Sequence, residues 1–467
     1  MRNRSRAPLG FLILAGAILV SAPILLAAQQ GRDTGASRPR PLPYETRDKT
    51  LGVVTCASSL CHGSMVEWKD AHILQNEYIT WSRVDKHARA TLVLLNAQSR
   101  KIAKNLGLSD PAEKSKICLD CHAHNPGSAS MGTRAKLSDG VTCEACHGPA
   151  ERWVASHAVP GATHAQNIAH GLYPTDQPIP RARLCMSCHF GNADRFVTHR
   201  LMGAGHPRLS FKLETFSQIG PSHFRVDADY EARKGKWNGA KVWAIGQALA
   251  VAETMKVLTD PNRGRDGLFP EFVLFDCYAC HHPMSEKKWT SSGSFGGRSA
   301  PGLARLNDSN MLMLRAIMHV VDPPVAEEIS ARVVAVHRAI AGEGALATSA
   351  QALGAVAEQA AETIASHRFD DSALRGVALA LVDEGLAGHY KDYAAAEQSV
   401  MAVGSVLNYM RSQGLLANVR SVNQGLARLR DPLSNDENYQ PAEFQKRLQE
   451  FRTILEGLPA SPQVSHD

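Results

Sequence analysis

The sequence predicts a mainly α-helical protein with long loops, in which a cysteine- and histidine-rich region precedes a bundle of helices. Three observations carry this. All 10 cysteines lie between Cys56 and Cys280. Beyond Pro301 there is no cysteine, and apolar residues recur at helical spacing. The Cys-His groupings follow no uniform repeat, which excludes a solenoid and favours short helices joined by long loops over sheets. The 467 residues are enough for two or three domains. A chain 44% hydrophobic and 21% charged is neither disordered, collagen-like nor a polytopic membrane protein.

Residues 1–28 form the first element. Arg2, Arg4 and Arg6 precede an apolar run from Phe11 to Ala28 that contains Pro23 and closes on small residues. This is the pattern of a secretory signal, either cleaved or kept as an N-terminal anchor in the membrane. Both readings export the rest of the chain to the periplasm. Residues 29–44 follow as a polar, Pro-rich linker, GRDTGASRPRPLP from Gly31 to Pro43. No later stretch reaches 18 consecutive apolar residues, so the body is expected to be soluble.

Residues 45–289 hold the chemistry. Four groupings read Cys118-Leu-Asp-Cys121-His122, Cys143-Glu-Ala-Cys146-His147, Cys185-Met-Ser-Cys188-His189 and Cys277-Tyr-Ala-Cys280-His281. A fifth, Cys56-Ala-Ser-Ser-Leu-Cys61-His62, has four residues between its cysteines. Every cysteine is used, and every second cysteine is followed by histidine. That is the signature of covalently attached haem c: two thiols add to the vinyl groups of one ring, and the adjacent imidazole ligates its iron. Zinc sites and disulfides have no need for the five histidines. In the first grouping either the insertion loops out, or Ser58 takes the first-cysteine place and the ring hangs from Cys61 alone. Five haems are expected.

The region from about Leu51 to Arg200 resembles the cytochrome c-554 family. The likeness is carried by Trp81 and His87-Ala88-Arg89-Ala90 after the first motif, then by Cys118 to His122. Gly140-Val141-Thr142-Cys143-Glu144-Ala145-Cys146-His147-Gly148-Pro149 continues it, with His157 ten residues past His147, and Cys185 to His189 closes it. A fifth motif and a long C-terminal extension depart from that family, which makes this an expanded, pentahaem relative.

The resemblance implies that His87 caps the haem of His189 and His157 that of His62, with His72 competing for the role of His87. Two further histidines, His199 and His206, lie in Thr198-His199-Arg200 and Gly205-His206-Pro207; one of them, His206 in preference, is expected over the His147 haem. His223 or His319 is expected over the His281 haem. His124 and His282 lie too near their own motif histidines to reach the opposite ring face. His164, His170, His337, His367, His389 and His466 are read as surface or core histidines. No distal partner is assigned to the His122 haem, which in the resembling family is the open one: it is either the candidate site for small-molecule chemistry or a haem capped by water or an unassigned histidine; no catalytic residue is assigned.

Residues 290–304 include a Ser/Gly-rich break, TSSGSFGGRSAP from Thr290 to Pro301. Residues 305–460 then read as a haem-free helical domain. Asp322-Pro323-Pro324 opens a helix with a cap and prolines in its first turn, and Ile329, Val333, Val336 and Ile340 form one apolar stripe. Such a domain braces the haem region or makes a contact between copies of the chain.

The 51 basic residues fall to 48 without Arg2, Arg4 and Arg6, against 45 acidic ones. No Lys/Arg run interleaved with aromatics follows, so nucleic acid is not an expected partner. Ten haem propionates add about −10, which makes the loaded protein acidic and favours a basic cytochrome or a basic patch on a membrane quinol-linked complex as redox partner. Electron transfer is the expected function. A reductase of a small nitrogen or sulfur oxyanion at an open haem is the alternative.

Overall fold

The computed structural model describes residues 40–459 apart from 70, 72, 264–270, 282–294, 296–304 and 417–418. The expected signal segment and most of the 290–304 linker lie outside these residues, as do His72, His282 and His466. The chain divides into Met1–Pro41 and a unit from Leu42 to Asp467. Among the described residues there is no strand, only the single bridges Thr50–Met131 and Phe275–Leu306, and none of the helices is long and apolar enough to cross a membrane.

The first half is built of short helices: α1 (Glu77–Val84), α2 (Ala97–Leu106), α3 (Lys116–His122), α4 (Cys143–His147), α5 (Val154–His157), α6 (His164–Ala169), α7 (Pro178–His189), α8 (His199–Gly203), α9 (Leu213–Ile219) and α10 (Ala228–Lys234). Long helices follow: α11 (Gly239–Thr259), α12 (Ser309–Val321), α13 (Pro323–Ile340), α14 (Leu346–Ser366), α15 (Asp371–Leu386), α16 (Tyr393–Ser412), α17 (Val419–Arg430) and α18 (Pro441–Glu456). The mainly α architecture with loop-rich cysteine motifs and a helical bundle is the one the sequence predicts.

The apolar core is concentrated in the second half and is made by α11 to α18. Pro323 and Pro324 do start a helix there, and Ile329, Val333 and Val336 are fully buried on its inner face. The centre is α11, whose residues from Val242 to Ala252 are buried on every side. A helix apolar all round has no face to give to solvent and must lie inside a bundle. It precedes the Ser/Gly break, yet it packs chiefly on α14, and after that on α7 and α12.

Two cysteine motifs are seated on this bundle. Helix α7, which carries Cys185 to His189, sends Ala182 and Met186 into the same core, and Arg183 pairs with Glu358 of α14. The segment before Cys277 is tied down by Asp276 N–H to Arg305 O (2.8 Å) and Asn307 N–H to Leu274 O (2.9 Å). Arg305 bridges Asp276 and Asp392, and the Tyr278 hydroxyl donates to Asp436 at 2.7 Å. The helical half thus braces the fourth and fifth motifs directly.

The other three motifs have little apolar core and are held by polar ties. Glu144, 1% exposed between the third pair of cysteines, accepts from the backbone N–H groups of Leu51, Gly52 and Ala150, each at 2.8 Å. One carboxylate thereby joins the first and third motifs, satisfying its own charge as a buried carboxylate must. Gly140 lets the chain pass close to the His87 turn: its φ is +78°, and a Cβ there would lie 2.5 Å from the His87 carbonyl oxygen. Only glycine fits both constraints.

Candidate haem sites

Helix formation at Lys116–His122, Cys143–His147 and Pro178–His189 puts the two thiols of a pair on adjacent corners of one turn and the histidine at its end. The fifth motif starts as a 3-10 turn at Cys277–Ala279. The first follows a 3-10 turn at Val53–Thr55, and the insertion folds into local turns: Cys61 N–H bonds to Ser58 O at 2.9 Å, and His62 N–H to Cys56 O at 3.2 Å. The two extra residues are therefore looped out locally, and Cys56 and His62 stay linked.

All ten cysteines are free thiols, as thioether attachment requires. Among the described residues no cluster of His, Cys, Asp and Glu could hold a bare metal ion. What the thiols and histidines do fit is a flat ring with an iron at its centre. An imidazole nitrogen binds a first-row metal at about 2 Å, so two rings on opposite sides of one metal have centroids about 6 Å apart.

Four pairs of imidazoles meet that condition. His62 and His157 lie 6.3 Å apart with planes at 13°. His87 and His189 lie 5.9 Å apart at 83°, His147 and His223 6.1 Å apart at 82°, and His199 and His281 6.3 Å apart at 36°. The first two pairs match those read from the sequence. The other two do not. His206, assigned there to the His147 ring, is not its neighbour; His223 is. His199 faces His281 instead, and His319 stands exposed at the end of α12.

The reasons are local. His223 stands edge-on to Phe224 at 5.9 Å, and Phe224 packs with Tyr230 and Trp237, over which the Arg181 guanidinium lies. His199 is hooked to the fifth motif through Glu271, 1% exposed, which accepts from the His199 N–H at 2.7 Å and the Val273 N–H at 3.2 Å. The sequence reading missed Glu271 and Phe224, whose signal lies only in tertiary contact.

Several rings have the far nitrogen fixed so that Nε2 is free to bind metal, the usual outer-shell arrangement for a ligating imidazole. The Nδ1 of His62 pairs with Glu77 at 2.9 Å and that of His87 with Asp85 at 3.0 Å. His157 Nδ1 donates to Val154 O at 2.5 Å, and His122 Nδ1 to Ala90 O at 3.0 Å. The carboxylate partners raise the basicity of His62 and His87. Burial pushes His147 down to about 3 and His189 down to about 4, keeping both imidazoles neutral, the form that ligates. In contrast, the Nε2 of His124 is engaged by the Thr50 hydroxyl at 2.8 Å and that of His164 by Asp176 at 3.0 Å. His389 pairs with Glu384 inside the bundle.

The motifs also adjoin one another. The Cys56 and Cys143 thiols lie close enough to perturb each other's ionisation, as do those of Cys121 and Cys188, and Cys146 lies within electrostatic reach of Cys185. Arg195 Nη1 stands 3.1 Å from Cys188 Sγ; with the neighbouring Cys121 it pulls that thiol below its ordinary pKa.

Free thiols in Cys-His groupings, with opposed imidazoles spaced for one iron between them, define a multihaem c-type cytochrome. Residues 55–148 match the family model described as cytochrome c554 and c-prime. A relative, cytochrome c-554 of Nitrosomonas europaea, is 27% identical over 183 residues, covering 37% of this chain and 68% of the relative. No solved structure matches the chain. Over these residues the chain is similar to the cytochrome c-554 family.

Proposed function

We propose that this chain carries electrons between periplasmic redox partners through five covalently bound haems. The observation that supports it most is the set of four opposed imidazole pairs at 5.9–6.3 Å. Bound haem c supplies reversible one-electron chemistry at its iron. The chain's part is to hold two strong ligands in place in both oxidation states, so that little moves when the electron does, and to keep the rings close.

Thiol contacts support an order of centres that differs from the order of motifs in the chain. It runs from the Cys56–Cys61 site to Cys143–Cys146, then to Cys185–Cys188, then to Cys118–Cys121. A ring bonded to each pair of thiols would have its neighbour's edge nearby. The redox partners are read as other cytochromes or a quinol-linked complex, attracted by the acidity that the propionates confer. Export rests on the N-terminal segment, acting as signal or anchor.

The test is the intact mass of the exported protein together with its iron and haem content. Five haems are expected. A mass with four would remove the Cys56–Cys61 site, and a polypeptide lacking haem would end the reading.

A further inference from the structure

We propose that His206 is the distal ligand of the His122 haem, so that this chain closes the one iron for which the sequence offers no partner. The inference rests on the haem reading above and concerns the chain's own residues toward that haem.

Helix α2 is the connection. Its Ala103 packs with Leu119 and Ala123, and with Cys118, on the side of the second motif. On its other side Ile102 packs with Val197, Leu201 and Ala204, which flank and form α8. Side chains from α2 then clamp the backbone just before His206: Asn105 Nδ2 donates to Ala204 O and Gln98 Nε2 to Gly205 O, both at 3.0 Å. Gly205 has φ +119°, and a Cβ there would lie 2.8 Å from Gln98 Nε2, so the clamp depends on glycine. Arg200 closes the same contact by donating to Leu106 O at 3.1 Å. One ten-residue helix thus fixes the position of the His206 loop relative to the Cys118–His122 turn.

The ring chemistry agrees. His206 Nδ1 donates to Pro207 O at 2.8 Å, leaving Nε2 for a metal. This is the arrangement of His157, whose Nδ1 is likewise tied to a nearby carbonyl. His122 likewise has Nδ1 tied to Ala90 O, leaving its Nε2 for the metal. Among the described residues, His87, His157, His199 and His223 face their own motif rings, while His124 and His164 have Nε2 engaged.

A consequence follows for the fifth centre. His199 begins α8 and His206 lies just past its end, seven residues on. The distal ligands of the His281 and His122 haems would therefore sit on one rigid segment, which appends the fifth haem at the His122 end of the series. With every iron six-coordinate, the molecule offers no vacant position to a small substrate and functions as a conductor.

The test uses the haem-loaded protein and its spin state, not turnover. At equal haem content by pyridine haemochrome, the wild type should show only low-spin ferric signals by EPR and, once reduced, negligible carbon monoxide binding. His206→Ala should convert about one haem in five to high spin and confer carbon monoxide binding on that fraction, since a ligand-free ferrous haem takes it up readily. Added imidazole should restore the low-spin signal, which separates a lost ligand from a disturbed fold. His319→Ala should change nothing. A wild type that already carries one high-spin, carbon monoxide-binding haem, or a His206→Ala variant indistinguishable from it, would overturn the assignment. Loss of haem in the wild type would instead strike the function proposed above.

Discussion

The imidazoles of His62 and His157 lie nearly parallel, 13° apart in plane and 6.3 Å between centroids. One belongs to the first motif and the other to a four-residue helix beyond the third. Each is set independently, His62 by the Glu77 carboxylate and His157 by the Val154 carbonyl and the edge of Trp153, 5.2 Å away. Opposed rings held from both sides are preorganised for one iron between them.

Replacing His157 with Ala should turn one haem high-spin without loss of attachment, because the thioether bonds hold the ring independently of the distal ligand. His223→Ala should do the same at the His147 haem. EPR spin counting at constant haem mass checks both. Unchanged spectra from His223→Ala would show that the His147 partner lies elsewhere.

Cys56→Ala tests the first motif. Its turn keeps His62 N–H bonded to Cys56 O, a backbone contact that survives the substitution. Two thioethers are expected at this site, so intact mass under denaturing conditions should show a mixed population deficient in one haem. A full complement of five would mean attachment through Cys61 alone.

Glu144→Ala should lower stability by about 3 kcal/mol, because three buried backbone N–H groups lose a charged acceptor. Glu144→Gln, which keeps acceptor capacity on one oxygen, should lose less. Denaturant midpoints of the haem-loaded variants measure the difference, and equal midpoints for all three proteins would deny Glu144 this role.

Acid sensitivity should trace in part to the bundle. Burial alone would raise the Glu384 carboxyl, but hydrogen bonds from His389 and Arg315, with the guanidinium charge, outweigh it and hold the group below its ordinary value. A carboxyl depressed in the folded state contributes stability above the unfolded value of about 4.3. That contribution is lost as pH falls from there through the folded value. Glu384→Gln should therefore flatten the acid limb of the stability curve. At neutral pH it should cost about 3–5 kcal/mol, by leaving the Arg315 charge buried without its counter-ion. A parallel acid limb in the variant would assign the sensitivity to other groups.

What the sequence determined by itself is the chemistry carried in short spans. Cys-His adjacency specifies ring attachment and the proximal imidazole because both fall within one turn of backbone. Apolar periodicity likewise specified the helix at Pro323–Ile340. Distal ligands come from far along the chain, and histidine spacing says nothing about which loop crosses which ring. His223, His199 and their anchors Phe224 and Glu271 became legible only once the chain was folded. The same holds for α11, which precedes the Ser/Gly break in sequence but lies at the centre of the bundle beyond it. A helix buried all round is positioned by the surfaces available to cover it, and those surfaces are supplied mainly by α14, with α12 and α16, which follow it by fifty residues and more, and by α7 and α9, which precede it.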